Sequence, residues 1–234
     1  WSSDVCSSDL GPSKVLEGRY GLFNTHVNGK VREERLLDGL GTRYEIEHVY
    51  FKPFPSCRGT HAFIEGIQGL RAAHRFNAND VERVDLGGNA LAINGHDYKH
   101  YDNVLDAQMS VPFTAALALL HGDVTAQMFL PQTMAQPELR TLVERIDARI
   151  DAECESIYPA RRSAVVSIAL KDGRRLEQRV YDPKGESDNP LSDADLERKF
   201  TTNCEPVIGA ARCAALLDCV RGFEKLDGIG AIFG

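Results

Sequence analysis

The chain has 234 residues, of which 43% are hydrophobic and 26% are charged, and its formal net charge is −7 at pH 7. This composition suits one or two globular units with a real hydrophobic core. No run approaches eighteen consecutive apolar residues, so no membrane-spanning helix is predicted, and the negative charge argues against nucleic acid as the main partner.

The first ten residues, WSSDVCSSDL, differ from the rest of the chain. They lack an apolar period, a basic start and the long apolar core of a signal peptide. They resemble translated sequencing-adapter DNA, and no initiator Met precedes them. We therefore exclude residues 1–10, with Cys6 and the only Trp, and expect the native sequence to begin at Gly11 inside a longer protein.

Five cysteines remain outside that segment, and they are scattered without a CxxC pair. An odd number in this arrangement predicts neither a disulfide framework nor a zinc site. The pattern favours a reducing cytoplasm as the compartment. These cysteines are Cys57, Cys154, Cys204, Cys213 and Cys219.

In the first two thirds of the chain, the sequence predicts four helices and one strand. VREERLLDGLG, residues 31–41, predicts a short amphipathic helix that ends at glycine. Apolar residues at helical spacing predict helices over residues 61–76, 110–124 and 137–146, while residues 81–86 are typical of a strand. The second of these helices has Pro112 in its first turn and Gly122 at its end.

The last third contains the clearest local pattern, a β-hairpin. Residues 164–170 predict an apolar strand, Asp172-Gly173 a tight turn, and residues 176–181 the returning strand. Ser192 with Asp195 predicts a capped helix start.

That capped helix should run to about Asn203. Beyond it, residues 206–220 are apolar nearly all round, which predicts a helix buried on more than one side.

The segment KPFPSCRGTH, residues 52–61, gathers cations, a thiol and hydroxyls just before a predicted helix. Free N–H groups at a helix start favour an anion, and Arg58 and Lys52 would add charge. A structural interpretation competes, because the two prolines could end a strand and Thr60 could cap the helix.

Several motifs in order resemble the MmgE/PrpD family: KPFPSCRGTHAFIEG, SVPFTAALALLHGDVT, DGRR and PKGESDNPLSDADLERKF. The resemblance implies an α+β lid domain, with helices against a small antiparallel sheet, plus the end of an otherwise missing all-helical domain. It also implies homodimers without an iron–sulfur cluster, other metal or cofactor. Known activities in the family include 2-methylcitrate dehydratase, cis-aconitate decarboxylase and an iminodisuccinate epimerase.

The resemblance further implies a domain division. Residues 11–50 would be the remnant of the helical domain, residues 51–203 the lid domain, and residues 204–234 a C-terminal helix and tail that pack back on the helical domain. Since the family's substrate site lies between the two domains, and several acid–base residues come from the helical one, we expect this chain alone to be inactive.

For the site itself, the resemblance and the residue chemistry assign roles to four side chains. Lys52 would line the site, and His61, at a helix start, would exchange protons near neutral pH. Arg58 would clamp a substrate carboxylate, and Ser56 would donate a hydrogen bond to a substrate oxygen.

Two further positions line the expected site and depart from the family pattern. Cys57 stands where decarboxylase-type members have a catalytic histidine, and Phe113 stands where a tyrosine is frequent. Their loss removes two proton carriers and makes cis-aconitate decarboxylation a poorer expectation than dehydration or isomerisation. A buried structural thiol and a core phenyl ring are the simpler interpretations of both residues.

Three functional hypotheses follow. The parent protein is a cofactor-independent lyase, a dehydratase that acts on a small tri- or dicarboxylic acid such as 2-methylcitrate. Alternatively it is an epimerase, isomerase or decarboxylase of a small dicarboxylate on the same fold. The third hypothesis is a binding module without catalysis.

Overall fold

The computed structural model describes residues 13–226, together with residues 228 and 230. The prediction for residues 1–10 lies outside the described residues. The chain divides into two compact units between Glu47 and His48. None of the described helices combines the length and apolar character that crossing a membrane requires.

The first unit contains two short helices, α1 (Leu22–Val27) and α2 (Glu34–Leu37), and neither buries a side chain. The helix predicted over residues 31–41 is present but has only four residues, Glu34–Leu37. Gly39 and Gly41 adopt positive φ angles of 70° and 80°, which end the helix early.

The second unit is built around a four-stranded sheet with the order β2-β1-β3-β4. The strands are β1 (Val81–Gly88), β2 (Ile146–Ile150), β3 (Ala164–Leu170) and β4 (Arg175–Val180). The pairs β1–β3 and β3–β4 are antiparallel, but β1 and β2 run parallel. The α+β class is confirmed. The sheet was expected to be antiparallel, but its edge strand β2 pairs with β1 in parallel.

The hairpin of β3 and β4 forms as the sequence predicts. Gly173 adopts a φ of +90°, a conformation that favours glycine, and Asp172 Oδ1 accepts from the Arg174 backbone N–H over 3.0 Å. Alternate residues of β3 are buried, as expected for a strand with one face on the core.

Two helices fill the centre of the core, α3 (His61–Ala73) and α6 (Val111–His121). Ser110 caps α6 by accepting from the Phe113 backbone N–H, and Gly122 ends the helix at a φ of +78°. Helix α3 lies on β3 and β4 at a very short distance, since a Cβ at Gly66 would stand 2.7 Å from the Val166 side chain.

Shorter helices complete this layer and connect the strands. They are α4 (Ala90–Ile93), α5 (Val104–Met109), α7 (Pro131–Met134), α8 (Pro137–Glu144) and α9 (Ala152–Ile157). Helix α8 confirms the helix predicted from Pro137, but it ends before Ile146, which begins β2 instead.

The C-terminal helices are α10 (Asp193–Ile208) and α11 (Ala210–Arg221). The capping box of Ser192 and Asp195 is present, although α10 continues past Asn203 to Ile208. Gly209 separates the two helices at φ 80° and ψ 157°, so the single helix predicted over residues 206–220 was wrong. In the described structure Val207 is 80% exposed and Cys213 is the buried residue of α11, and the packing of this segment on a helical domain stays a prediction.

Candidate active site

The loop of residues 52–57 leads into a 3-10 turn (Arg58–Thr60), which continues directly into α3. Main-chain bonds hold the loop on two sides: Phe51 N–H donates to Gly185 O and Cys57 N–H donates to Gln108 O, each over 2.9 Å. These bonds fix the backbone of the loop, and with it the positions from which its side chains extend.

Arg58 is 5% exposed and uses all five of its N–H donors within the protein. Nε and Nη2 donate to Glu186 Oε1 over 3.0 and 2.7 Å. Nη1 donates to Lys184 O over 3.0 Å and to His61 Nδ1 over 2.9 Å, and Nη2 also donates to Pro183 O over 3.2 Å. In this arrangement every N–H of Arg58 is used within the protein, and its expected role as a clamp for a substrate carboxylate stays a prediction.

Glu186 and Tyr50 complete the surroundings of the Arg58 guanidinium. The Glu186 side chain is 20% exposed and also lies 3.5 Å from Arg162. The ring of Tyr50 lies against both guanidinium groups, with centroid distances of 5.1 Å to Arg58 and 5.5 Å to Arg162. This cluster ties the loop at residues 183–186 to the start of α3.

His61 is fully buried, and its hydrogen bond with Arg58 determines which ring nitrogen carries the proton. Because a guanidinium can only donate, Nδ1 of His61 accepts and the ring proton is on Nε2. Burial lowers the His61 pKa to about 3, with help from the positive charges of Arg58, Lys52 and Lys199, while the Ser56 backbone opposes the shift. The imidazole is therefore neutral at neutral pH, and its expected proton exchange stays a prediction.

The Nε2–H of His61 has no hydrogen-bond partner in the part of the chain that the structure describes. The ring of Phe54 packs edge-on against the imidazole at a centroid distance of 5.2 Å. Leaving a buried donor without an acceptor costs about 1–3 kcal/mol, so this N–H is suited to receive an acceptor from a ligand.

Ser56 and Thr60 form a buried pair inside the loop. Thr60 Oγ1 donates to Cys57 O over 2.9 Å, so the Ser56 hydroxyl supplies the proton of the 2.8 Å bond between Ser56 and Thr60. The expected donation from Ser56 to a substrate oxygen is thus not available in this arrangement. Thr60 occupies the N-cap position of α3, as the capping interpretation expected, but its side chain makes no capping hydrogen bond.

Lys52 and Cys57 are the two predicted site residues with side chains that reach solvent. Lys52 is exposed, and its ammonium forms no ion pair with any described carboxylate. Cys57 is a half-buried free thiol. Lys52, Cys57 and His61 thus lie on one short segment that Arg58 anchors, and the charge of Lys52 acts on His61.

Phe113 lies apart from that segment, in the hydrophobic core. Its side chain is fully buried between Tyr101 and Phe129, at centroid distances of 4.4 and 5.8 Å. These contacts agree with the core-packing interpretation of Phe113, and its substrate-binding role stays a prediction.

A cavity of about 540 Å³ opens beside the same loop. It lies among the loop, α3, α10 and the segment that follows α6. Sequence reasoning did not select its charged residues, although Lys184 belongs to the quoted PKG motif and Lys199 to ERKF. Its lining includes Phe54, Glu65, Asp123, Leu191, Lys184 and Lys199.

No group of three or more His, Cys, Asp or Glu residues suited to a metal occurs among the described residues.

A family model described as the MmgE/PrpD C-terminal domain matches residues 54–225. The chain belongs to the MmgE/PrpD family. Cis-aconitate decarboxylase of Mus musculus is 25% identical over 223 residues, which are 93% of this chain and 45% of that protein. The Homo sapiens cis-aconitate decarboxylase is 22% identical over 224 residues, 91% of this chain and 44% of that protein. The chain thus spans less than half the length of these curated relatives.

Proposed function

We propose that this chain contributes the lid half of the active site of a cofactor-independent lyase. The reaction would be the dehydration of a small tri- or dicarboxylic acid such as 2-methylcitrate. The observation that carries this proposal is the Nε2–H of buried His61, which has no hydrogen-bond partner among the described residues. Arg58 holds the ring in place, and the charge of Lys52 acts on it.

The chemistry of dehydration explains why these groups suit it. A base removes a proton from the carbon next to a carboxylate, and the hydroxyl on the neighbouring carbon leaves with a proton as water. Negative charge develops on the carboxylate during proton removal, where a cation and a fixed hydrogen-bond donor stabilise it. Lys52 would supply the cation, and neutral His61 would supply the donor.

The remaining acid–base groups would come from the helical half that the family resemblance implies. We therefore predict that the 234-residue chain alone has no measurable turnover. The homodimer, the small carboxylate partner and the cytoplasmic location also stay predictions.

Decarboxylation is the second candidate, because both curated relatives are named cis-aconitate decarboxylase. Cys57 and Phe113 weigh against it, since they replace an imidazole and a phenol of decarboxylase-type members. An epimerase would use the same cation and donor, and a binding module would use them without turnover.

The test is a substrate screen of the protein encoded by the longer reading frame that contains this chain. Appearance of a conjugated double bond from 2-methylcitrate supports dehydration, whereas CO₂ release from cis-aconitate supports decarboxylation. We expect Lys52→Gln to lower kcat at least about tenfold, as loss of a charge-assisted contact in the transition state does. Lys171→Gln, at an exposed position outside the site, is the matched control. Binding of the acids without any conversion would contradict the lyase proposal.

A further inference from the structure

We propose that the hairpin of α10 and α11 is a strap across the loop of residues 52–57, and that Gln127 is the latch that holds this strap closed. The latch concerns only how the hairpin is fastened to the rest of its unit. It therefore does not depend on the lyase proposal.

Helix α10 lacks the buried face that normally fixes a helix in a fold. None of its sixteen residues, all of which the structure describes, is buried. Arg221 Nε on α11 donates to Glu197 Oε1 on α10 over 2.8 Å, so the two helices are joined to each other. An isolated helix of this length is only marginally stable in water. Bonds to the rest of the unit therefore decide whether the hairpin keeps its place and its structure.

Pro206 lies inside α10 and removes one hydrogen bond of the helix. Proline has no N–H, so the carbonyl of Thr202, four residues earlier, receives no helical bond from position 206. The proline ring also crowds this carbonyl. The sequence thus leaves one acceptor of α10 open to a donor from another element.

Gln127 supplies that donor. It lies in a 3-10 turn (Ala126–Phe129) that follows α6, and its Nε2–H donates to Thr202 O over 3.2 Å. The amide nitrogen is the side-chain atom of Gln that can donate, so the bond also fixes the orientation of the amide. The bond replaces the one that Pro206 removes, and it connects the hairpin to the segment after α6.

A second hydrogen bond places the hairpin over the candidate active site. Lys199 Nζ, three residues before Thr202 on α10, donates to Lys52 O over 2.6 Å. The loop, α10 and the latch also line the same cavity, through Pro53, Phe54, Gln127, Thr202 and Pro206. The closed strap is therefore one wall of this cavity, and its release opens that wall and frees the carbonyl of Lys52.

The experiment is hydrogen–deuterium exchange of the 234-residue chain, measured by mass spectrometry over residues 196–221. Gln127→Met keeps the length of the side chain and removes the donor. We expect it to accelerate exchange of this segment about fivefold, as loss of one hydrogen bond predicts.

A Pro206→Ala background tests why the latch is needed. The backbone N–H at position 206 then bonds to Thr202 O within the helix, so the carbonyl no longer depends on Gln127. In that background Gln127→Met should change exchange by less than about twofold.

Two controls show that the effect belongs to the latch. Gln132→Met changes an exposed glutamine of α7 and should leave exchange of the hairpin unchanged. Exchange of β3 and β4 should be the same in every variant, which confirms that the fold is intact. The proposal is overturned if Gln127→Met does not accelerate exchange of residues 196–221, or if it accelerates exchange equally in the Pro206→Ala background.

Discussion

Arg58 Nη1 donates to Nδ1 of His61 over 2.9 Å, and this bond places the ring proton of the buried imidazole on Nε2. The family resemblance implied that both residues face a substrate. In this structure Arg58 is fully paired within the protein and orients His61. The anchor reaches across 128 positions in sequence to Glu186.

The Arg58–Glu186 pair gives the first prediction. Glu186→Gln removes the carboxylate and leaves a buried guanidinium without its counter-charge, so we expect a loss of about 3 kcal/mol in the free energy of unfolding. Denaturant unfolding of the 234-residue chain measures it. Glu82→Gln, on an exposed side chain of β1, should change stability by less than about 0.5 kcal/mol. Equal effects of the two substitutions would show that the pair does not anchor the loop.

His61 gives a prediction on pH. Its pKa is about 3 in the folded protein against an ordinary value of 6.5, so between these values the unfolded chain binds a proton that the folded chain does not. The His61 contribution therefore lowers stability as pH falls below 6.5. The free energy of unfolding of His61→Gln should therefore decrease less between about pH 7 and pH 5 than that of the unmodified chain. His26→Gln, at an exposed position, serves as the control, and an unchanged slope in His61→Gln would refute the assignment.

Gly185 gives a prediction on the loop contact. It has a φ of +96°, and a Cβ there would stand 1.9 Å from the Phe51 carbonyl oxygen. Gly185→Ala should destabilise the chain by about 3 kcal/mol or more, because it adds a backbone clash to the strain of a positive φ. Gly173→Ala has a similar φ of +90° but open space around it, so it should show the smaller, strain-only loss. A comparable loss in both variants, measured by thermal unfolding, would argue against the clash.

Phe113→Tyr tests whether this position belongs to the core. A hydroxyl added to the fully buried ring would lose its contact with water, and we expect a loss of about 1–3 kcal/mol in the free energy of unfolding. Phe223→Tyr, on a half-exposed ring, should be nearly neutral. If Phe113→Tyr is also neutral, the ring edge reaches a polar space, and a role in the site becomes the better explanation.

Local signals predicted local structure well in this chain. Asp172-Gly173 marked the hairpin turn, Ser110 and Gly122 marked the two ends of α6, and Ser192 marked the start of α10. Each of these residues acts on backbone groups within a few positions of itself. Strand β2 was missed because its five residues follow α8 without a break, and Ile146 also fitted the helical period.

The candidate site was predictable in its location but not in its chemistry. The segment at residues 52–61 was found from its composition, yet the roles of Arg58 and Ser56 depend on their partners. Glu186 lies far along the chain, and only the fold brings it to Arg58. The cavity likewise joins residues from α3, α10 and three loops, which no single sequence window contains.

The most direct test of the arrangement is nitrogen-15 NMR of the His61 ring between about pH 5 and pH 8, the range in which an ordinary histidine titrates. We predict a neutral imidazole with its proton on Nε2 throughout this range, and a change of tautomer or a titration in Arg58→Met. A proton on Nδ1, or a titration with a midpoint near the ordinary value of 6.5 in the unmodified chain, would contradict the role of Arg58 and with it the proposed hydrogen-bond donor of the site.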